Sequence, residues 1–189
     1  MDYKALINKI IALISSPGNA WKKIVKEGLD KRVIATFVYP LIGLSSLSEF
    51  IGVFIGKTLS PDLFQVALTR SCCIAVSFFG GFFVAVSLLD KIGEKLYKQK
   101  NTRAELQNFV GYSMVVTFVL SIVSGLFSIA ILHWILQVYT LFIVFEGGRH
   151  VIGMKEEQLT SYTMVATIVI LLAPALIEIL FNMLSVTLN

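Results

Sequence analysis

Apolar residues fall in long, uninterrupted blocks along this chain instead of alternating with polar ones. Residues 33–47 carry no charge and the apolar run resumes after Glu49; residues 71–89 are uncharged; residues 106–145 hold no Asp, Glu, Lys or Arg; residues 159–177 are again uncharged. A helix crosses the hydrocarbon core with about 20 residues, so the third block is two helices folded back as a hairpin. The pattern predicts an all-α polytopic membrane protein with five transmembrane helices, near residues 33–56, 63–89, 106–126, 129–147 and 161–185. Strands are excluded because nothing has period two, and because each segment in lipid must satisfy its own backbone N–H and C=O groups. The stretch SGLFS, residues 124–128, supplies the turn between the third and fourth spans.

Residues 1–32 precede the first span, and residues 33–189 form the transmembrane domain. The apolar segment LINKIIALI, residues 6–14, is interrupted by Asn8 and Lys9. That leaves too short a core for a cleavable secretory signal. It reads instead as a short amphipathic helix in the interface, with Leu6, Ile7, Ile10, Leu13 and Ile14 toward lipid. SSPGNAW then breaks it, and WKKIVKEG predicts a second short basic helix with Trp21 at headgroup level. Lys9, Trp21, Lys22, Lys23 and Arg149 are the expected lipid-headgroup contacts, either to anionic lipid or as a generic basic anchor.

Composition agrees with this picture. The chain has 189 residues, of which 56% are hydrophobic and 15% charged, and its mean hydropathy is +0.81. No soluble domain and no linker is expected. Fourteen of the sixteen basic residues lie in residues 1–32, 90–105 and 146–160. By the positive-inside rule the N-terminus is then cytoplasmic and, after five crossings, the C-terminus is outside. The adjacent Cys72 and Cys73 are placed badly for a structural disulfide and have no zinc-site spacing, so they read as small packing residues.

Three full charges fall within the predicted spans: Glu49, Arg70 and Glu178. Counting about 1.5 Å per residue along each helix puts all three in the outer half of the membrane. A lone charge at mid-membrane costs about 2.5–3.5 kcal/mol on insertion scales, so these residues are expected to pair. His133, at the outer start of the fourth span, completes a candidate intramembrane polar cluster of Glu49, Arg70, His133 and Glu178. Small and polar residues also recur at helical spacing, as in Ser45, Ser48, Glu49, Gly52 and Gly56. Such stripes serve either close helix packing or a water-lined cavity. The spacing Gly52-x-x-x-Gly56 also fits helix dimerisation.

The densest polar motif is VFEGGRH, residues 144–150. It reads as the end of the fourth span, where Gly147 and Gly148 stop the helix and Arg149 and His150 meet headgroups or the last carbonyls. A catalytic reading finds no supporting residues. There is no Gly-x-Ser-x-Gly, His-Glu-x-x-His or Walker-type motif, and the two histidines are predicted on opposite membrane faces. No enzyme activity, cofactor, metal or nucleic acid is expected.

Four stretches carry a resemblance: SSPGNAWKKIVKEG (15–28), FVYPLIGLS (37–45), ELQNFVGYSMVVTFV (105–119) with its Gly111-Tyr112 pair, and YTLFIVFEGGRHVIGMKEEQLTSYTMVATIVILLAP (139–174). In this order they resemble the Yip family, five-span membrane proteins related to the Rab-interacting proteins of the eukaryotic secretory pathway. The short region before the first span is similar to that of the prokaryotic members, so the resemblance does not extend to Rab GTPase binding. It implies a multi-pass protein of a bacterial inner membrane. The expected role is non-enzymatic, as a membrane-organising or protein-interaction element, with lipids, other membrane proteins and further copies of itself as partners. The alternative is a small transporter or ion channel that uses the Glu/Arg cluster.

Overall fold

A computed structural model describes residues 3–127 and 137–187. Every element among them is helical. In chain order these are α1 (Tyr3–Ser15), α2 (Pro17–Glu27), a π-helical turn (Ile34–Val38), α3 (Tyr39–Gly52), α4 (Pro61–Tyr97), α5 (Arg103–Ser113), α6 (Val115–Phe127), α7 (Tyr139–Gly147), a second π-helical turn (Gly148–Ile152) and α8 (Glu156–Thr187).

Four stretches among the described residues are long and apolar enough to cross a membrane: Ile34–Gly52, Pro61–Tyr97, Arg103–Phe127 and Glu156–Leu184. The fourth predicted span, residues 129–147, falls largely outside the described residues, and its described part is the nine-residue α7. The predicted turn at residues 124–128 is displaced. Residues 124–127 are still helical, and Ser128 lies outside the described residues. Gly125 is needed there for packing, not for turning. It lies against the α3 backbone at Ser48 and Glu49, and a Cβ on Gly52 would strike the Gly125 carbonyl. Gly52 is therefore spent on an intramolecular crossing of α3 with α6, which corrects its reading as a dimerisation residue. Gly56 lies beyond the helix with φ +72°.

Helix α4 has 37 residues, or roughly 55 Å at about 1.5 Å per residue, against a hydrocarbon core of about 30 Å. It therefore outruns the predicted span of 63–89, because hydropathy marks the membrane edge and not the last helical hydrogen bond. At its start Ser60 accepts from the Leu63 amide (3.2 Å), and Pro61 opens the first turn. At its other end Lys98 adopts a left-handed conformation, and the Gln99 amide bonds back to the Gly93 carbonyl at 3.0 Å. Helix α4 lies along α8 on one side and α3 on the other, and α3 in turn lies along α6. Ser45, Ser48, Ser77, Thr163 and Thr167 are all buried in these crossings. The small and polar stripes thus serve helix contact through most of their length.

The segment between α2 and the first π turn is held from both sides. Asp30 bonds the Arg32 amide (2.8 Å) and the Thr36 hydroxyl (2.5 Å), which starts the π turn. The fully buried Asn108 of α5 accepts from the Asp30 amide (3.1 Å) and donates to the Asp30 carbonyl (3.0 Å). Helix α5 itself opens with a capping box between Thr102 and Glu105.

Helix α1 departs from the prediction of a purely lipid-facing stripe. Leu6 and Leu13 are buried against the bundle, and Ile10 and Ile14 pack beside them. Tyr3, Ile7 and Ile11, one helical turn apart, are exposed instead.

Candidate functional site

Polar side chains gather at two ends of the bundle. The basic end carries the N-terminus, the α4–α5 connection and the α7–α8 connection, and the far end lies at the opposite tips of α3, α4 and α8.

At the basic end α2 lies across α7 and the second π turn. Its anchor is Trp21, which is fully buried. The indole donates from Nε1 to the Ile143 carbonyl at 3.0 Å and meets Tyr112 edge-on at 5.8 Å. Tyr112 in turn meets Phe37 edge-on at 4.8 Å. Trp21 is therefore a core residue, which corrects its assignment to the headgroups: its N–H is satisfied by backbone inside the protein and its ring by aromatic neighbours. Lys9 is half-buried. It donates to the Tyr112 hydroxyl at 3.0 Å and sits over that ring at 5.0 Å. Lys22 and Lys23 are exposed, and Lys23 pairs with Glu27 at 3.7 Å.

The glycines of VFEGGRH do not end a helix, contrary to the sequence reading. The chain continues helically through Gly147 and Gly148 to Ile152 and stops at Gly153, whose φ is +67°. A Cβ on Gly147 would lie 2.9 Å from both Phe109 and Trp21, and one on Gly148 would lie 3.2 Å from Leu159. The pair is a saddle that admits the indole on one side and α8 on the other. The charges flanking it are partnered. Arg149 makes two bonds to Glu156, at 3.0 and 2.9 Å, and that hydrogen bonding raises its pKa above the ordinary value. His150 Nε2 lies 3.3 Å from Glu146 Oε2, with the Glu146 side chain only 14% exposed.

Glu146 also faces the first turn of α2, where a Cβ on Gly18 would come within 3.1 Å of its carboxylate. A side chain at that position would push the acid back by a few tenths of an ångström. Around this contact Ser16, Asn19, Lys22, Tyr139, Phe142, Arg149 and His150 line a hollow of about 370 Å³. The Asn19 amide donates to the Ser16 hydroxyl at 3.0 Å. The Tyr139 hydroxyl donates to the Ile14 carbonyl at 2.7 Å, so it ties α7 to the end of α1. Sequence reading found the cations of this hollow but missed Tyr139, Asn108 and the inward role of Trp21. The recurrence of aromatic and amide residues inside the four quoted stretches was the available signal.

At the far end the structure brings together three of the four predicted cluster residues. Arg70 and Glu49 approach to 3.8 Å, with side chains 61% and 25% exposed. Glu178 lines the same hollow of about 320 Å³, together with Cys73 and Asn182. Cys73 lies 3.6 Å from the Asn182 carbonyl oxygen. Cys73 is buried, whereas Cys72 is exposed. His133, the fourth residue, lies outside the described residues.

With this geometry in place, comparison with known proteins gives one finding. A family model described as Yip1 domain matches residues 11–177, which takes in the Trp21 anchor, the α5 motif and the glycine saddle. Neither curated proteins nor solved structures give a match.

Proposed function

The chain belongs to the Yip1 domain family and has apolar helices suited to crossing a membrane, and from that premise we propose a non-enzymatic, membrane-organising and protein-interaction role centred on its basic end. The observation that supports it is the doubled apolar character of α1. Leu6 and Leu13 turn into the bundle, while Tyr3, Ile7 and Ile11 are 67%, 54% and 57% exposed. The helix is held rigidly to the bundle through Lys9, Ile14 and its neighbour Trp21. An apolar face fixed beside exposed Lys22, Lys23 and Lys26 inserts into one leaflet only. An integral protein carrying such a helix adds area to that leaflet and orders the lipids around it. The placement of fourteen of sixteen basic residues at this end favours a cytoplasmic N-terminus in a bacterial inner membrane, with lipids, further copies and other membrane proteins as partners.

Reconstitution into vesicles at rising protein content tests the reading. Wild type is expected to reduce mean vesicle diameter in electron cryomicroscopy. The double substitution Ile7→Glu, Ile11→Glu is expected to insert equally well and leave the diameter unchanged. Equal diameters for both proteins would remove the basis for the proposal.

A second reading, a small transporter or channel, is favoured by the Glu49, Arg70 and Glu178 hollow. The hydroxyls of Ser113, Thr117, Thr140 and Thr167 add to it, since they are buried without a partner among the described residues and suit water-lined space. Ion flux into vesicles that is abolished by Glu178→Gln would select it.

A further inference from the structure

The hollow between α2 and α7 holds both signs of charge on the same small surface, next to an apolar wall. Lys22 is exposed on its rim and makes no ion pair among the described residues, whereas Arg149 is already bound to Glu156. Glu146 lies deeper, with its side chain only 14% exposed. On one side the wall is Phe142, 47% exposed, and the apolar surface continues to Val138, 71% exposed, at the N-cap of α7. In a protein that spans the membrane, that exposed face of α7 is suited to acyl chains. At about 370 Å³ the hollow has room for far more than one water, whose share of liquid volume is about 30 Å³.

We propose that this hollow seats the headgroup of an aminophospholipid, with the phosphate against Lys22 and the Ser16 and Asn19 side chains, the primary ammonium against Glu146, and an acyl chain along Phe142 and Val138. Each part of the ligand answers a separate feature. A phosphate needs a cation not already committed, and Lys22 is one. An ammonium with N–H donors needs a carboxylate, and Glu146 lines the hollow between the His150 imidazole and the Gly18 turn. A purely anionic headgroup would leave Glu146 facing like charge, and a quaternary amine has no N–H to give it. The site rests on the membrane placement of the basic end but not on any effect of α1 on vesicle shape, so the two can fail separately.

Native mass spectrometry of the detergent-purified protein with added phosphatidylethanolamine, phosphatidylcholine and phosphatidylglycerol tests it. One phosphatidylethanolamine should be retained in preference to the other two by on the order of ten-fold, as one charge-assisted hydrogen bond would give. Lys22→Ala, at an exposed position that cannot disturb the fold, should weaken all three lipids, and Lys22→Arg should restore them. Glu146→Gln should reduce phosphatidylethanolamine to the level of the others. Soluble phosphoethanolamine at equal concentration should displace none of the bound lipid. Equal retention of the three lipids, a preference for phosphatidylglycerol, no response to Lys22→Ala and Glu146→Gln, or displacement by the soluble headgroup would each overturn the assignment.

Discussion

The two ends of the molecule hold polar groups in opposite ways. At the basic end the enclosed polar groups are fastened, Glu146 to His150 and the α2 turn and Lys9 to Tyr112, around an indole with no solvent exposure, while Lys22 and the Arg149–Glu156 pair stay at the surface. At the far end Arg70 and Glu49 meet at 3.8 Å with the arginine 61% exposed, and Glu178 is exposed on the same rim. The difference lies in burial. A polar group enclosed by protein must be matched by a partner or it costs stability, whereas one on an open rim can turn to headgroups or water. Substitutions of the enclosed residues at the basic end should therefore act on stability, and those at exposed positions of either end chiefly on whatever occupies the adjacent hollow.

The largest expected effect comes from Trp21→Ala. It removes a fully buried aromatic side chain from between Tyr112 and Gly147 and leaves the Ile143 carbonyl without its indole donor. Removal of a buried aromatic side chain costs about 3–5 kcal/mol. Unfolding in mixed detergent micelles should show a loss of that size, together with protease access to α1. A loss below about 0.5 kcal/mol, the range of an exposed substitution, would mean that α2 is only loosely docked, and the contrast between the ends would collapse.

Asn108→Ala comes next. Asn108 makes three hydrogen bonds, two with the Asp30 backbone and one to the Ala104 carbonyl at 2.8 Å. Truncation unpairs the Asp30 amide at the entrance to the first span, whereas the Asp30 carbonyl keeps the Val33 amide at 3.3 Å, and a group enclosed by protein and left unsatisfied costs about 1–3 kcal/mol. Hydrogen exchange should accelerate at residues 30–38 while α4 and α8 stay protected. Uniform acceleration throughout would show that Asn108 supports the whole bundle and not this one joint.

Much of this was legible in the chain before any coordinates, and the part that was not follows from a property of lipid. The apolar blocks predicted five spans, of which four appear among the described residues as helices long and apolar enough to cross a membrane, and counting residues singled out Glu49, Arg70 and Glu178, which line one hollow. The blocks could not say which apolar face of α1 meets protein, because lipid tails are as apolar as a protein core. Leu6 and Ile7 look alike in sequence, yet one is buried and the other is 54% exposed. The same ambiguity hid the inward turn of Trp21. It also hid the role of Gly147 and Gly148, which read as a helix stop until the ring they accommodate is known. Arg70 and Glu49 were found because a charge inside an apolar block is a strong signal, but their 3.8 Å approach depends on how α3 meets α4, which no pattern within either helix records.

The smallest effect is expected at that pair. Arg70→Gln removes the cation facing Glu49 while keeping most of the side chain's length and its capacity to hydrogen-bond. Exposed ion pairs contribute about 0–1 kcal/mol, since the Coulomb gain is screened and two long side chains must be ordered to make it. The same unfolding measurement should therefore place Arg70→Gln within about 1 kcal/mol of wild type, well below Trp21→Ala. A loss of several kcal/mol would mean that the far end is as tightly built as the basic end. With the predicted near-neutral outcome, any change in ion flux or lipid retention caused by Arg70→Gln can be read as an effect on the hollow itself, because the fold around it is intact.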